Sequence, residues 1–412
     1  MSKRSVICGG VRTPIGAFQG GLSSIRSPQL GALVIQALLA RTGVEATKID
    51  EVIMGCVCQA GLHQNPARQA SIYGGVPDTV SAMTVNKVCG SGLKAVALAD
   101  QAIRAGDKEC VIAGGFENMS QIPYALMQAR TGQRLGDGKI TDLLVHDGLW
   151  DIYNDYHMGM TAEWVVDTYN VTREEQDAYA ARSHARAVAA WENGKFDAEV
   201  VPVEVPQRRG DPVVVCRDEG PRADVSAEKM AHLRPAFKRD GGTVTAGNSS
   251  SINDGAAALL ICSEDFAKAN NLPIRAYIDG ATTGARAPQE VMMAPVTSIR
   301  NLLEKTGTKV TDYGLFELNE AFAAQVLVIL KMLASESFAQ QRLGYAEAFG
   351  AVTAEEINVH GGSIALGHPF AATGARMVTT MSNELKLTGK SSALLGICGG
   401  GGVSAAAVLE SI

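Results

Sequence analysis

No stretch of this 412-residue sequence stays apolar for the roughly 20 residues that a bilayer-spanning helix needs. The longest candidate, Ala321 to Ala334, is broken by Gln325 and Lys331 and reads as a buried helix, so no membrane partner is expected. The start, Met1-Ser2-Lys3-Arg4 running into Ser5-Val6-Ile7-Cys8, lacks the apolar run of about 7–15 residues that a secretory signal carries. The mature chain is therefore expected to begin near Met1. A basic surplus is missing too: 37 Lys and Arg stand against 43 Asp and Glu, a net charge of −6. With no Lys/Arg run to meet a phosphate backbone, no nucleic-acid partner is expected. Charged residues are few at 19%, while the 46% apolar share is that of a globular core, which excludes disordered and fibrous chains. Eight cysteines are scattered without the dense spacing of a disulfide scaffold, and a cytoplasmic location is the expectation. Cys56-Val57-Cys58 with His63 matches no usual zinc spacing, so no metal is expected. No G-x-G-x-x-G follows a strand, and Gly389-Lys390-Ser391 lacks the first phosphate-loop glycine because Glu384 stands in its place.

Glycine is in excess: 44 residues, against an average near 7%. Short β-branched runs at 5–8, 51–56, 83–88 and 110–113 alternate with helical periodicity at 30–41 and 92–104. The rhythm returns with strands at 275–279, 314–317, 392–398 and 402–409 and helices at 296–305 and 321–334. This predicts a layered α/β fold in two similar halves. From Ile122 to Ser251 the texture changes to Gly-Asp-Gly turns, tryptophans and a charged helix at 173–192, which reads as an inserted, lid-like region. The apolar segment 252–266 then returns to complete the first half, and the polar stretch 335–354 reads as a surface excursion.

Cys89 falls where a strand ends in Cys89-Gly90-Ser91-Gly92 and a helix begins. Unpaired N–H groups and the positive dipole end at a helix N-terminus favour a thiolate, so a lowered thiol pKa and a nucleophilic role are expected. Cys398 ends an apolar strand before four consecutive glycines, whose open backbone N–H groups suit an oxyanion hole. His368 sits between Gly367 and Pro369, where a base can be held rigidly. One nucleophile, one imidazole and a second thiol form a coherent set for acyl transfer through a thioester.

These segments carry a specific resemblance. Arg12-Thr13-Pro14-Ile15-Gly16, Asn86 to Gly92, Gly114-Gly115-Phe116-Glu117-Asn118-Met119-Ser120, Ala246-Gly247-Asn248 with Asn253 to Ala257, Asn319-Glu320-Ala321-Phe322-Ala323, Gly361 to Pro369 and Cys398 to Gly402 follow the order of blocks in thiolases, over essentially the whole chain. The resemblance implies an α/β thiolase fold: two duplicated βαβαβαββ halves in an α/β/α/β/α layering, with an inserted loop domain. It divides the chain into a first half (1–121 and 252–273), a CoA-binding loop domain (122–251) and a second half (274–412). It further implies reversible Claisen condensation of two acetyl-CoA, closest to the acetyl-CoA acetyltransferases. Coenzyme A and acyl-CoA would be substrates, with no bound cofactor. Carried over residue by residue, Cys89 would be acylated, His368 would take its proton and Cys398 would move the α-proton of the second acetyl-CoA. His368 and a water held by Asn319 would steady the enolate oxygen, and the N–H groups of Cys89 and Gly400 the tetrahedral intermediate. Leu149, His157, Met158, Ala246, Ser250, Ala321 and Phe322 would touch the pantetheine and acyl group, with Arg222 at the adenine or phosphate end. Met158 would shorten the acyl pocket. A homodimer or homotetramer is implied.

Departures from the family pattern bear on substrate preference: His360, Ala371, Lys229, the Met292-Met293-Ala294-Pro295 stretch and a lengthened loop at 335–349. Competing readings are a degradative 3-ketoacyl-CoA thiolase of fatty-acid β-oxidation and, in another class, a cysteine hydrolase using Cys89, His368 and Asn319. A hydrolase has no use for Cys398.

Overall fold

Alternation along the strands decides the layers. In the computed structural model, which describes residues 3–412, β5 (Asn253–Ser263) is buried on both faces. Ala256, Ala258, Leu260 and Cys262 turn to one core, while Ala257, Leu259 and Ile261 turn to another. The expected start at Met1 and Ser2 lies outside the described residues.

The remaining strands of the main sheet are β1 (Ser5–Arg12), β2 (Glu51–Gly55), β3 (Ser81–Val85), β4 (Cys110–Asn118), β6 (Ala276–Ala285), β7 (Leu315–Leu318), β8 (Ser392–Gly399) and β9 (Val403–Glu410). Their order is β7-β8-β9-β6-β1-β5-β4-β2-β3. Renumbered within each half, the first half reads 3-2-4-5-1. The second reads the same once Ile357, bridged in parallel to Phe316, is counted as the remnant of a third strand. Strand directions repeat as well: β2 is parallel to β3 and β4, β7 is parallel to β8, and β5 and β9 run antiparallel to their neighbours. Two β1–β6 pairs, Val6 with Tyr277 and Ile7 with Ala276, join the halves.

Helices complete five layers. α1 (Ser27–Thr42) and α2 (Pro66–Tyr73) cover one outer face. α3 (Ser91–Ala105) and, from the second half, a helix over Phe370–Thr388 share the middle. The helices at Ala294–Thr306 and Ala323–Leu333 cover the other outer face. The two central helices cross backbone to backbone. A Cβ on Gly92 would stand 2.4 Å from the carbonyl oxygen of Ala371, and one on Gly374 would stand 2.5 Å from the amide nitrogen of Leu93.

Between β4 and β5 lie α4 (Met158–Tyr169), α5 (Arg173–Glu192) and three small two-stranded sheets. α5 is set by a capping box, Thr172 with Glu175, and spans the residues that the charge pattern indicates. It is tied to the second half by Tyr179 and Ser183, which donate to the buried Glu320 at 2.8 and 2.6 Å. Arg12 of β1, fully buried, donates to Glu199 at 2.7 Å and forks onto Asp218 at 2.6 and 3.0 Å, fastening the same region to the first half.

Two expectations need correction. The helix expected from Ala321 begins at Ala323, because Phe322 is extended (φ −145°, ψ 146°) and bridges to Ser249. The 335–354 stretch is not a plain surface excursion: Phe338, Ala339, Phe349 and Val352 are buried in the second-half core.

Candidate active site

The turn from β3 into α3 stores backbone strain one residue before the cysteine. Val88, a β-branched residue, is held at φ 48° in the left-handed region. Its N–H donates to Asn86 Oδ1 at 2.9 Å, and the Ser91 hydroxyl accepts from Lys87 N–H and donates to the Val88 carbonyl at 2.8 and 2.6 Å. Gly90 caps α3, so Cys89 stands, half-buried, just before the first helical turn. Sequence reasoning located the turn and missed the strained Val88.

The backbone N–H groups of Cys89 itself and of Gly400 lie near the Cys89 sulfur and favour its thiolate. Even so, the expected lowering of its pKa is not found: desolvation, with the neighbouring Cys398, pushes the thiol well above its ordinary value and outweighs both N–H groups. Cys398, at the end of β8, is buried and pushed up to about 12 by the same desolvation. Burial, helped by the charge of Arg376, pulls His368 down to about 3, so at neutral pH the imidazole is uncharged. Two protonated thiols and a neutral base thus face one another's cavity, and charge has to appear during reaction.

His368 is held from two sides. Its backbone N–H donates to Asn253 Oδ1 at 2.9 Å, and its Nδ1 pairs with the Thr373 hydroxyl at 2.7 Å. Nε2 is buried without a protein partner. Asn319 lies behind the cavity rather than on its wall. Its Oδ1 accepts from Ser363 Oγ at 2.7 Å, its carbonyl accepts from Gln325 at 2.9 Å, and its Nδ2 is likewise without a protein partner.

Cys89, His368, Cys398 and Gly400 line one cavity of about 880 Å³, together with every residue named above for CoA or acyl contact. Met158 stands close to Gly400: its Sδ lies 3.8 Å from the point where a Cβ on Gly400 would be. His157 stacks on Phe237 at 4.9 Å, and Phe237 meets Phe322 edge-on at 6.2 Å, so Leu149, His157, Phe322 and the unforeseen Phe237 give an apolar wall. Ala246, Ser250 and Ala321 come from two segments clasped by Ser250 N–H donating to the Ala321 carbonyl at 2.9 Å. Arg222 is exposed at the mouth, with Lys229 nearby. The Arg222 N–H donates to Nδ1 of His184, a wall residue not singled out from sequence, whose pKa burial and Arg222 lower to about 4.

Glu117 also went unassigned. Fully buried on β4, it accepts N–H groups from Val57 and Cys58 at 3.0 Å each and from Ala371, and a hydrogen bond from the Cys56 thiol. It therefore ties the 56–58 loop to the helix that follows His368. The donors of Cys56 to Cys58 are spent on this carboxylate.

The fold and this cavity are those of an acyltransferase. The family model for the thiolase N-terminal domain matches residues 5–265 and that for the thiolase C-terminal domain residues 272–411. The chain belongs to the thiolase family and is an acyltransferase. An acetyl-CoA acetyltransferase of Pseudomonas aeruginosa is 48% identical over 404 residues, covering 98% of both chains. A probable acetyl-CoA acyltransferase of Staphylococcus aureus is 47% identical over 407 residues, covering 99% of both. The crystal structure of the Bacillus anthracis acetyl-CoA acetyltransferase superposes with a TM-score of 0.93 at 41% identity, covering 100% of this chain and 99% of that one.

Proposed function

We propose that this chain catalyses the reversible Claisen condensation of two acetyl-CoA to acetoacetyl-CoA and CoA through an acetyl-Cys89 intermediate. The observation that carries the reading is the convergence of two thiols and one neutral imidazole on a single cavity, with the Gly400 N–H beside the Cys89 sulfur. Cys89 Sγ attacks the thioester carbonyl and its proton passes to His368 Nε2. The oxyanion is held by the N–H groups of Cys89 and Gly400, each such donor typically worth about 3–4 kcal/mol of barrier. The tetrahedral intermediate collapses by breaking the bond to the CoA sulfur, which leaves with the proton from His368. Cys398, once its own proton has passed to the again-neutral His368, then removes an α-proton from the second acetyl-CoA. The enolate carbon attacks acetyl-Cys89, the new C–C bond forms, and the bond to the Cys89 sulfur breaks as that sulfur takes the proton held by His368, which leaves both thiols protonated again when the product is released. The unpartnered Nε2 of His368 and Nδ2 of Asn319 support their role at the enolate oxygen. The second thiol favours transfer over hydrolysis.

CoA and acyl-CoA enter as substrates, and no resident cofactor is called for by these steps. The 122–251 region acts as the CoA-binding unit, with Leu149, His157, Met158, Ala246 and Ser250 along the pantetheine path and Arg222 near the phosphate end. Met158 beside Gly400 supports a short acyl pocket, and hence the two-carbon substrate. The exposed outer strand β3, with Met83, supports assembly with a second copy.

The test is CoA-dependent cleavage of acetoacetyl-CoA, 3-ketohexanoyl-CoA and 3-ketodecanoyl-CoA by the parent and by Cys89→Ser. Rapid cleavage of acetoacetyl-CoA alone, abolished in Cys89→Ser, is expected. Comparable rates on the longer substrates move the assignment to fatty-acid degradation, and full activity of Cys89→Ser refutes the mechanism.

A further inference from the structure

The 335–349 loop packs into the second-half core and contributes no residue to the cavity wall. Phe338 and Ala339 anchor it in the second-half core, and Tyr345 packs edge-on to Phe349 at 5.0 Å. From this anchored loop Arg342 reaches back to pair with Glu290 Oε1. The other oxygen of Glu290 is taken at 2.8 Å by Arg286, whose guanidinium lies 5.5 Å over the Phe338 ring. Arg286 and Glu290 are nearly buried, about 9% and 10% exposed along their side chains, while Arg342 is 46% exposed. The loop thus ends in an Arg-Glu-Arg chain whose central carboxylate is fully used.

That chain leads to two parts of the site. Glu290 sits in the short helical turn Pro288–Met293, and its next two residues, Val291 and Met292, are wall residues of the cavity. Arg286 clasps the glycine turn: its N–H donates to the Gly402 carbonyl at 2.8 Å. Gly402 is held at φ 88°, with the Arg286 carbonyl oxygen 2.3 Å from where a Cβ would stand. Only glycine fits there. Gly402 closes the turn that begins at Gly400, whose N–H lies near the Cys89 sulfur.

We infer that Arg342 is a specificity-positioning residue: through Glu290 it braces the Val291–Met292 wall, while the Gly400–Gly402 turn stays fixed by the Arg286 backbone N–H, and so it limits acyl length from outside the cavity. The energetic logic is that a hydrophobic pocket discriminates one methylene by about 10–200-fold only while its wall cannot retreat. A wall pinned by a half-exposed arginine can retreat when that arginine is removed, with no change in any group that touches the reacting atoms. The inference rests on the thiolase reading above.

The experiment compares kcat/KM for thiolysis of acetoacetyl-CoA and 3-ketohexanoyl-CoA in the parent, Arg342→Ala, Arg342→Lys and Glu290→Gln. Arg342→Ala is expected to raise the hexanoyl-to-acetoacetyl ratio about tenfold, through a lower KM for the longer substrate, while kcat on acetoacetyl-CoA stays within about threefold of the parent. Arg342→Lys is expected to restore at least half of the change on a logarithmic scale. Glu290→Gln, if it folds, should shift the ratio in the same direction. A ratio within about twofold of the parent in Arg342→Ala overturns the inference whatever the behaviour of Glu290→Gln, as does a loss on both substrates that Arg342→Lys fails to rescue. A parent inactive on every 3-ketoacyl-CoA refutes the functional reading itself, and the inference with it.

Discussion

Thr373→Val isolates the hydrogen bond that orients His368. The Thr373 hydroxyl lies 2.7 Å from Nδ1, and Thr373 and His368 are 1% and 4% exposed, so water has no easy route to replace it. In the proposed mechanism Nε2 takes the Cys89 proton, and the imidazole becomes a cation. Its Nδ1–H then needs an acceptor more than it did in the neutral ring. Valine keeps the shape of threonine and removes that acceptor. Leaving a buried polar group unsatisfied costs about 1–3 kcal/mol, and more when it is charged. If this falls on the barrier, kcat drops about 5- to 150-fold, at about 1.4 kcal/mol per factor of ten. Thr373 does not line the cavity, so KM should change little. Steady-state thiolysis of acetoacetyl-CoA measures the loss. The rate at which iodoacetamide inactivates the enzyme checks that the proton transfer from Cys89 is the affected step. Thr373→Ser, which keeps the hydroxyl, should retain kcat within about threefold. A folded Thr373→Val with kcat within twofold of the parent would refute the argument that this bond orients the base.

Glu117 offers a pH test of the buried network behind the site. Burial raises its pKa from 4.5 to about 7 despite its three N–H donors. Between those values the folded state keeps a proton that the unfolded chain has lost, so stability falls as pH rises through that window. The full cost above pH 7, about 2.5 pKa units at 1.36 kcal/mol each, is about 3 kcal/mol. Glu117→Gln should therefore gain up to about 3 kcal/mol relative to the parent between pH 5 and pH 8 in urea denaturation. Glu317, raised by burial in the same direction, leaves some slope behind, but parallel stability curves for parent and variant would contradict the account. Arg12→Met leaves Glu199 and Asp218 buried without their cation. Breaking such a pair typically costs about 3–5 kcal/mol. A lower urea midpoint is expected at neutral pH, and an unchanged one would show that water reaches the two carboxylates.

Internal repetition explains which parts of this molecule could be read from sequence. The strand-to-helix switch at Cys89 and the return of β5 were legible because each depends on residues next to one another in the chain: a β-branched run, a glycine turn, then helical spacing. The second half hides its third strand. Ile357 makes only one parallel bridge, and the segment before it has been given over to the 335–349 loop, whose phenylalanines are too widely spaced to signal a core. Yet Asn358, immediately after Ile357, sits at φ 51°, as Val88 does at φ 48° after β3. The same bend thus serves both halves: one places Cys89 before a central helix, and the other begins the path to His368 before its counterpart. The pKa values were beyond sequence for a different reason. Helix-end donors were visible, but the desolvation that outweighs them comes from β8, the second central helix and the inserted region meeting over the sulfur, a convergence no local pattern records. The site is therefore built from opposed effects: local structure offers stabilised negative charge at Cys89 and tertiary burial withholds it, and in the proposed mechanism that balance turns only when an acyl group brings an oxyanion to the N–H groups of Gly400 and Cys89.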